Sequence, residues 1–287
     1  MKILLIGANG QLAQDILAES SRSGDDVIPV THEQLDVRDA AGVEAMARQH
    51  HPKCIINTAA FHRVDACEDQ PELTFAVNRD GACNLARAAE GLGALLVQFS
   101  TDYVFDGSKK TPYTERDPPR PLSVYGKSRL AGEVVVAQNC RRFLIIRTCG
   151  LYGHAGSRSK SGNFVETMLR LATEKRPARV VDDQVCTPTS TEELAQRLQP
   201  LLRGGAQGLF HMTNNGECSW YEFAREIFRL ARVDAGITPV SSAEYAARAP
   251  RPLYSVLDNA ALRAAGEPEF DDWRVALARY VAARHPT

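Results

Sequence analysis

Lys2 to Ile6 (KILLI) is a short apolar run that passes directly into Gly7-Ala8-Asn9-Gly10 and then into a helical stretch from Gln11. Five nearly uninterrupted apolar residues are the pattern of a parallel strand buried on both faces. Glycine at positions 7 and 10 and alanine at 13 let the backbone come close to a ligand where a helix begins, and the N–H groups there favour an anion. In this strand-to-helix setting, Gly-x-x-Gly-x-x-Ala is the fingerprint of a turn that cradles a dinucleotide pyrophosphate. Its last small residue serves helix-to-strand packing and can be alanine. Gly7, Asn9, Gly10, Gln11 and Leu12 are therefore expected to bind a dinucleotide cofactor.

The first strand is one of a series. Apolar runs recur at Val27 to Val30, Cys54 to Asn57, Leu95 to Ser100 and Phe143 to Arg147, alternating with helical segments, the longest from about Pro71 to Leu92. Strands that alternate with helices imply a parallel sheet covered on both faces. The fold class expected is α/β, a Rossmann-type doubly wound sheet with a smaller C-terminal substrate-binding lobe. Residues 1–150 with about 190–212 would form the cofactor domain, since Leu209 to Met212 reads as a further strand. Residues about 151–189 and 213–287 would form the lobe. The Gly/Ser/Lys-rich stretch GHAGSRSKSGN beside the sheet's carboxyl edge is a candidate substrate lid, and Ser219-Trp220-Tyr221-Glu222 reads as a capping box opening a helix.

A chain of 287 residues, 44% of them hydrophobic, is long enough for one substantial core and a lobe packed on it. Lysine and arginine number 34 against 35 acidic residues, so no overall field favours nucleic acid or an anionic membrane. Seven cysteines, an odd number with no Cys-x-x-Cys or Cys/His cluster, fit a reducing cytoplasm rather than a disulfide framework or a metal site. No apolar run approaches the roughly 20 residues that span a bilayer. A cytoplasmic protein, bound to neither membrane nor nucleic acid, is expected.

At the end of the second strand an acidic residue would grip the adenosine ribose of NAD, and a nearby arginine would accommodate the extra phosphate of NADP. Thr31 and His32 stand there instead. The cofactor is accordingly NADP(H) or NAD(H), and the lack of a carboxylate removes an obstacle to a 2′-phosphate. Asp36 and Val37, a few residues on, are placed to flank the adenine, with capping of the next helix the alternative for Asp36.

Ser100-Thr101-Asp102-Tyr103-Val104-Phe105 ends a strand at the ligand-binding edge, and Pro121-Leu122-Ser123-Val124-Tyr125-Gly126-Lys127-Ser128-Arg129 follows. With GANGQLA, LDVRD, NTAA, VDACE, STDYVFDG, PLSVYGKSRLAGE, GNFVETML and RPLYSVLDNAAL, the chain resembles the extended short-chain dehydrogenases, and among them the dTDP-4-dehydrorhamnose reductase family, over nearly its whole length. The resemblance implies a catalytic trio of Thr101, Tyr125 and a basic residue. Tyr125 would protonate a carbonyl oxygen while nicotinamide delivers hydride to the carbon, and Thr101 would hold the same oxygen. A free tyrosine, with a pKa near ~10, is poorly matched to neutral pH and requires a cation beside it.

The family's pattern is Tyr-x-x-x-Lys, whereas here position 129 is arginine and the lysine lies at 127. On a helix i and i+4 share a face and i+2 does not, so Arg129 is the cation expected beside Tyr125. Its guanidinium keeps the charge but suits planar partners better than a ribose diol. The resemblance also places Asn57, Ala59 and Ala60 along the cofactor channel. Val64, Asp65, Asp102, Asn163 and Arg251 fall near the substrate, and Asn78 serves as a structural tie. Helix capping competes as a role for Asn163, and a helix start for Asp65. Where the family has tryptophan after Arg-Thr-Ser, this chain reads Arg147-Thr148-Cys149-Gly150, leaving Tyr152 or Phe61 to supply an aromatic platform.

The resemblance thus implies NAD(P)H-dependent reduction of a nucleotide-linked 4-keto-6-deoxy sugar, by a homodimer. Two alternatives stand beside it. One is an epimerase or dehydratase of the same fold, which would recycle its cofactor. The other is a non-catalytic NAD(P)-binding regulatory subunit resembling the methionine adenosyltransferase beta subunit.

Overall fold

In the computed structural model, which describes residues 1–155, 162–234 and 236–284, the apolar runs form strands β1 (Lys2–Ile6), β2 (Asp26–Val30), β3 (Cys54–Asn57), β4 (Leu95–Thr101) and β5 (Phe143–Thr148). With Gly208–His211 they make one parallel six-stranded sheet, ordered 208–211, β5, β4, β3, β1, β2. Every residue of β3 and β4 is buried, as helices on both faces require. β2 is an edge strand with only Val30 buried, and an edge is where a strand tolerates a proline such as Pro29.

Alternation along each strand divides the core in two. Ile3, Leu5, Ile56, Val97 and Ile146 pack with Leu12, Ile16, Leu194 and Leu198 from the helices Gln11–Arg22 and Thr191–Gly204. Leu4, Ile6, Ile55, Leu96 and Ile145 face the other way, onto Val43, Leu85, Ala86 and Val136 from Ala40–His50, Gly81–Leu92 and Val124–Asn139. A third core, around Phe223, Ile227, Trp273 and Leu277, is built by the helices Phe164–Thr173, Trp220–Ala231 and Trp273–Arg284. The capping box read at 219–222 is present, with the Ser219 hydroxyl and the Glu222 carboxylate each accepting the other's N–H. Of the candidate lid, residues 156–161 lie outside the described residues.

The segment Pro71 to Leu92 is not one regular helix. It runs α over Pro71–Phe75, widens to a π turn over Ala76–Asp80, and resumes α over Gly81–Leu92. The cause is tertiary. Asn78 accepts from the Phe61 N–H and donates to the Phe61 carbonyl and the Ser128 hydroxyl, at 2.9, 3.0 and 2.9 Å. The neighbouring helix presses so closely that a Cβ on Gly132 would stand 2.4 Å from the Asn78 carbonyl. A single π turn accommodates these ties.

β1 pairs with β2 on one side and β3 on the other. The chain therefore leaves β1 in one direction and returns to build in the opposite one. The connections after β1 and β3 lead to helices on opposite faces, Gln11–Arg22 on one and Gly81–Leu92 on the other, and the crevice at such a switch point is where open parallel sheets bind ligands.

Candidate active site

A cavity of about 1030 Å³ fills that crevice and continues toward the third core. At its inner end Gly7 has φ +81°, and a Cβ there would lie 2.8 Å from Thr58 Oγ1 and 2.9 Å from the Ala59 nitrogen, so only glycine lets the two loops meet. The Gly10 N–H closes the turn on the Gly7 carbonyl at 2.9 Å. No side chain caps the helix that follows, which leaves its first N–H groups free of a side-chain partner, as at an anion-binding helix start. Asn9, Gln11 and Leu12 complete this wall, with Ala59 and Ala60 opposite. Asn57 lies beneath it: its amide donates to Gln98, and its carbonyl holds the Ala59 N–H.

Beyond β2 the wall consists of His32, Leu35, Asp36, Val37 and Arg38. Thr31 does not line the cavity, and its N–H donates to Gln34 Oε1 at 2.8 Å. The next helix is entered at Asp39 and not at Asp36, which instead accepts from the Arg38 backbone and guanidinium. Those bonds pull the Asp36 carboxyl down to about 2. Arg38 is a cavity cation that the sequence pattern did not single out.

Thr101 ends β4, in register with Thr148 of β5. Tyr125 enters from the first turn of the helix Val124–Asn139, which Ser123 caps through the Gly126 N–H. Tyr125, Thr101 and Arg129 line the same cavity. Burial raises the Tyr125 pKa most strongly, Arg129 and Thr101 pull it down, and Asp102 pushes it up, leaving a net rise. Arg129, 5% exposed, donates through Nη2 to the Phe99 carbonyl, while its Nε and Nη1 are buried without a hydrogen-bond partner. Lys127 is exposed, as its place on the helix requires. Buried N–H groups seldom remain unanswered.

Asp102 is buried and accepts from Thr101 Oγ1 (3.0 Å), Cys149 Sγ (3.1 Å) and Ser255 Oγ (2.6 Å). Burial raises its pKa against the pull of these bonds. Further out lie Val64, Asn163 and Arg251. Arg251 reaches Asp65 at 3.1 Å, which ties the C-terminal segment to the helix Val64–Asp69. Asn163 caps the helix Phe164–Thr173 through the Glu166 N–H and donates to the Gly153 carbonyl at 3.0 Å, so it holds structure and lines the cavity together. Thus the cavity walls gather every residue that the sequence proposed for cofactor, catalysis or substrate except Thr31, Asn57, Asp65 and Tyr152.

The family model described as "RmlD substrate binding domain" matches residues 1–285. A dTDP-4-dehydrorhamnose reductase from Streptomyces griseus is 41% identical over 96% of this chain and 91% of its own. The chain belongs to the dTDP-4-dehydrorhamnose reductase family. The spore coat polysaccharide biosynthesis protein SpsK of Bacillus subtilis is 39% identical over 99% of this chain and 98% of its own. A crystal structure of the reductase from Clostridium acetobutylicum superposes with a TM-score of 0.94, at 41% identity and 99% coverage of both chains. The Bacillus anthracis reductase, solved in complex with NADP, also gives 0.94, at 36% identity and covering 98% of this chain and 99% of that one.

The family resemblance implies departures at Arg129 and Gly150. The structure keeps a cation at the first position. At the second, Tyr152 is not the replacement aromatic: it is 1% exposed and packs in the third core against Phe223 and Tyr280. Phe61 does line the cavity, as do Phe164, Trp220 and Tyr245, none of which the sequence had assigned to the site. Arg179 joins them there.

Proposed function

We propose that the protein reduces the 4-keto group of a dTDP-linked 4-keto-6-deoxy sugar, dTDP-4-dehydrorhamnose, to the alcohol. NAD(P)H, when bound, supplies the hydride. Gly7, Asn9, Gly10, Gln11 and Leu12 hold its pyrophosphate, with Ala59 and Ala60 against the opposite side and Asp36 and Val37 at the adenine. Thr101 and Tyr125 both address the ketone oxygen, and Tyr125 gives its proton as negative charge develops there. Burial keeps the phenol protonated by raising its pKa, and the positive charge of Arg129 works against that rise to ease loss of the proton. Arg129, one turn away, steadies the phenolate that remains, and it lines the cofactor cavity. Val64, Asp102, Asn163 and Arg251 border the substrate.

Residues 1–150 with about 190–212 form the cofactor domain on this reading, and residues about 151–189 and 213–287 the substrate lobe. The enzyme would work in the cytoplasm as a homodimer. Supporting the reading above all is the gathering of Thr101, Tyr125 and Arg129 in one glycine-lined cavity. The test is an absorbance assay with enzymatically prepared dTDP-4-keto-6-deoxy sugar and each reduced cofactor in turn. One cofactor oxidised per ketone reduced is expected. Turnover of the sugar with no net oxidation would instead identify an epimerase or dehydratase, and tight cofactor binding without turnover a regulatory subunit.

A further inference from the structure

Trp220 opens the helix Trp220–Ala231 behind the Ser219 capping box, which fixes where its indole starts. One side of the ring rests on Phe164 (centroids 4.8 Å apart, tilted 51°) and the edge of Phe223 (6.3 Å). The side chain is nevertheless only partly buried, and it lines the cavity. Its position there follows from Gly150. That residue has φ +54°, and a Cβ built on it would stand 3.3 Å from Trp220 Cη2 and 3.1 Å from Pro188 Cα. Gly150 lies two residues past Thr148, the register partner of Thr101. The six-membered ring of the indole therefore borders the chain just beyond the catalytic end of the sheet, with no side chain at 150 to cover it.

We propose that Trp220 is the platform on which the sugar ring of the substrate packs, setting the ketone against Thr101 and Tyr125. A 6-deoxyhexose presents ring C–H groups and a methyl, an apolar face that gains by leaving water for an aromatic surface. Trp220 contacts the sugar and not the nucleotide base, because a group held next to the Thr148–Gly150 turn is next to the reacting carbon, and the base lies at the far end of a diphosphate. The proposal rests on the function above and assigns a specificity residue within it.

The sequence has two tryptophans. The other, Trp273, is 1% exposed in the third core, so a ligand-induced change in indole emission reports on Trp220. The ligands are dTDP, the dTDP-6-deoxyhexose product and NADPH, titrated against the wild type, Trp220→Phe and Trp220→Ala. The product should alter wild-type emission and not that of Trp220→Phe. Its Kd, measured by calorimetry, should rise about tenfold in Trp220→Ala, while affinities for dTDP and NADPH stay at wild-type values. Unchanged product affinity in Trp220→Ala would overturn the proposal, as would an equal loss of dTDP affinity. Retained NADPH binding certifies the fold, and Trp220→Phe keeps a ring against Phe164 should the alanine variant fail to fold. A wild type that binds NADPH but neither dTDP nor product would sink the underlying functional reading instead.

Discussion

Replacing Gly126 by alanine tests the geometry next to the proposed proton donor. A Cβ there would stand 2.2 Å from the Tyr103 carbonyl oxygen and 2.9 Å from Pro121 Cβ. Neither neighbour is the tip of a flexible side chain, and non-bonded heavy atoms settle near about 3.5 Å. The first turn of the helix Val124–Asn139 and the segment after β4 must therefore separate by about 1 Å. That shift falls on Tyr125, the adjacent residue, and on Thr101, whose Oγ1 holds the Tyr103 N–H. These are the two hydroxyls that must address one oxygen. Misplacement of about 1 Å costs on the order of a hundredfold in rate, and overpacking costs about 1–3 kcal/mol of stability. Steady-state oxidation of NAD(P)H by the keto sugar should show kcat down about a hundredfold. The cofactor Kd, set at the distant glycine turn, should not change, and a thermal melt read beside it corrects for any unfolded fraction. A Gly126→Ala enzyme with wild-type kcat, or one whose loss matches its unfolded fraction, would refute the reasoning.

Other expectations follow from the buried polar groups around the sheet. Glu133 binds Arg147 through two hydrogen bonds and accepts from Ser100, in a setting where both charged side chains are almost wholly buried. Glu133→Gln strands the guanidinium and should cost about 3 kcal/mol or more in urea unfolding; a smaller effect would mean that water reaches the pair. His211 is buried beside Arg147, and burial first, then that charge, holds its pKa down to about 3. A base with a depressed folded pKa takes up protons more readily when unfolded. Stability that is full above the unfolded value of ~6.5 is therefore lost as pH falls toward 3, by up to about 1.4 kcal/mol per pH unit. His211→Gln should flatten the urea midpoint over that window, and an unchanged slope would assign the effect to other groups.

Much of the sheet was legible because strands buried on both faces need nearly continuous apolar runs, and β1, β3, β4 and β5 have them. The glycine turn was legible for a similar reason, since Gly7 answers a steric demand no other residue meets. Arg129 was readable because helical periodicity puts i+4, and not i+2, beside the tyrosine that the family resemblance marked. What escaped was set by contacts between segments remote in sequence. The π turn at Ala76–Asp80 depends on Phe61 and Ser128, and nothing within residues 71–92 announces it. Asn57 resembles a cavity residue until Gln98 is seen to claim its amide. Arg38 enters the cavity wall while Thr31 turns to Gln34, a choice made by the chain's path after β2. Tyr152 and Trp220 are equally aromatic in sequence, and only packing sends one into the core and the other to the cavity.

The proton donor is the centre of this account, and pre-steady-state reduction by Tyr125→Phe measures it most directly. With NAD(P)H and the dTDP-4-keto sugar both bound, hydride transfer should slow about 10²- to 10⁴-fold, the range a positioned acid contributes, with both ligands held at wild-type affinity. Reduction at the wild-type rate by an enzyme lacking that hydroxyl would contradict the assignment outright.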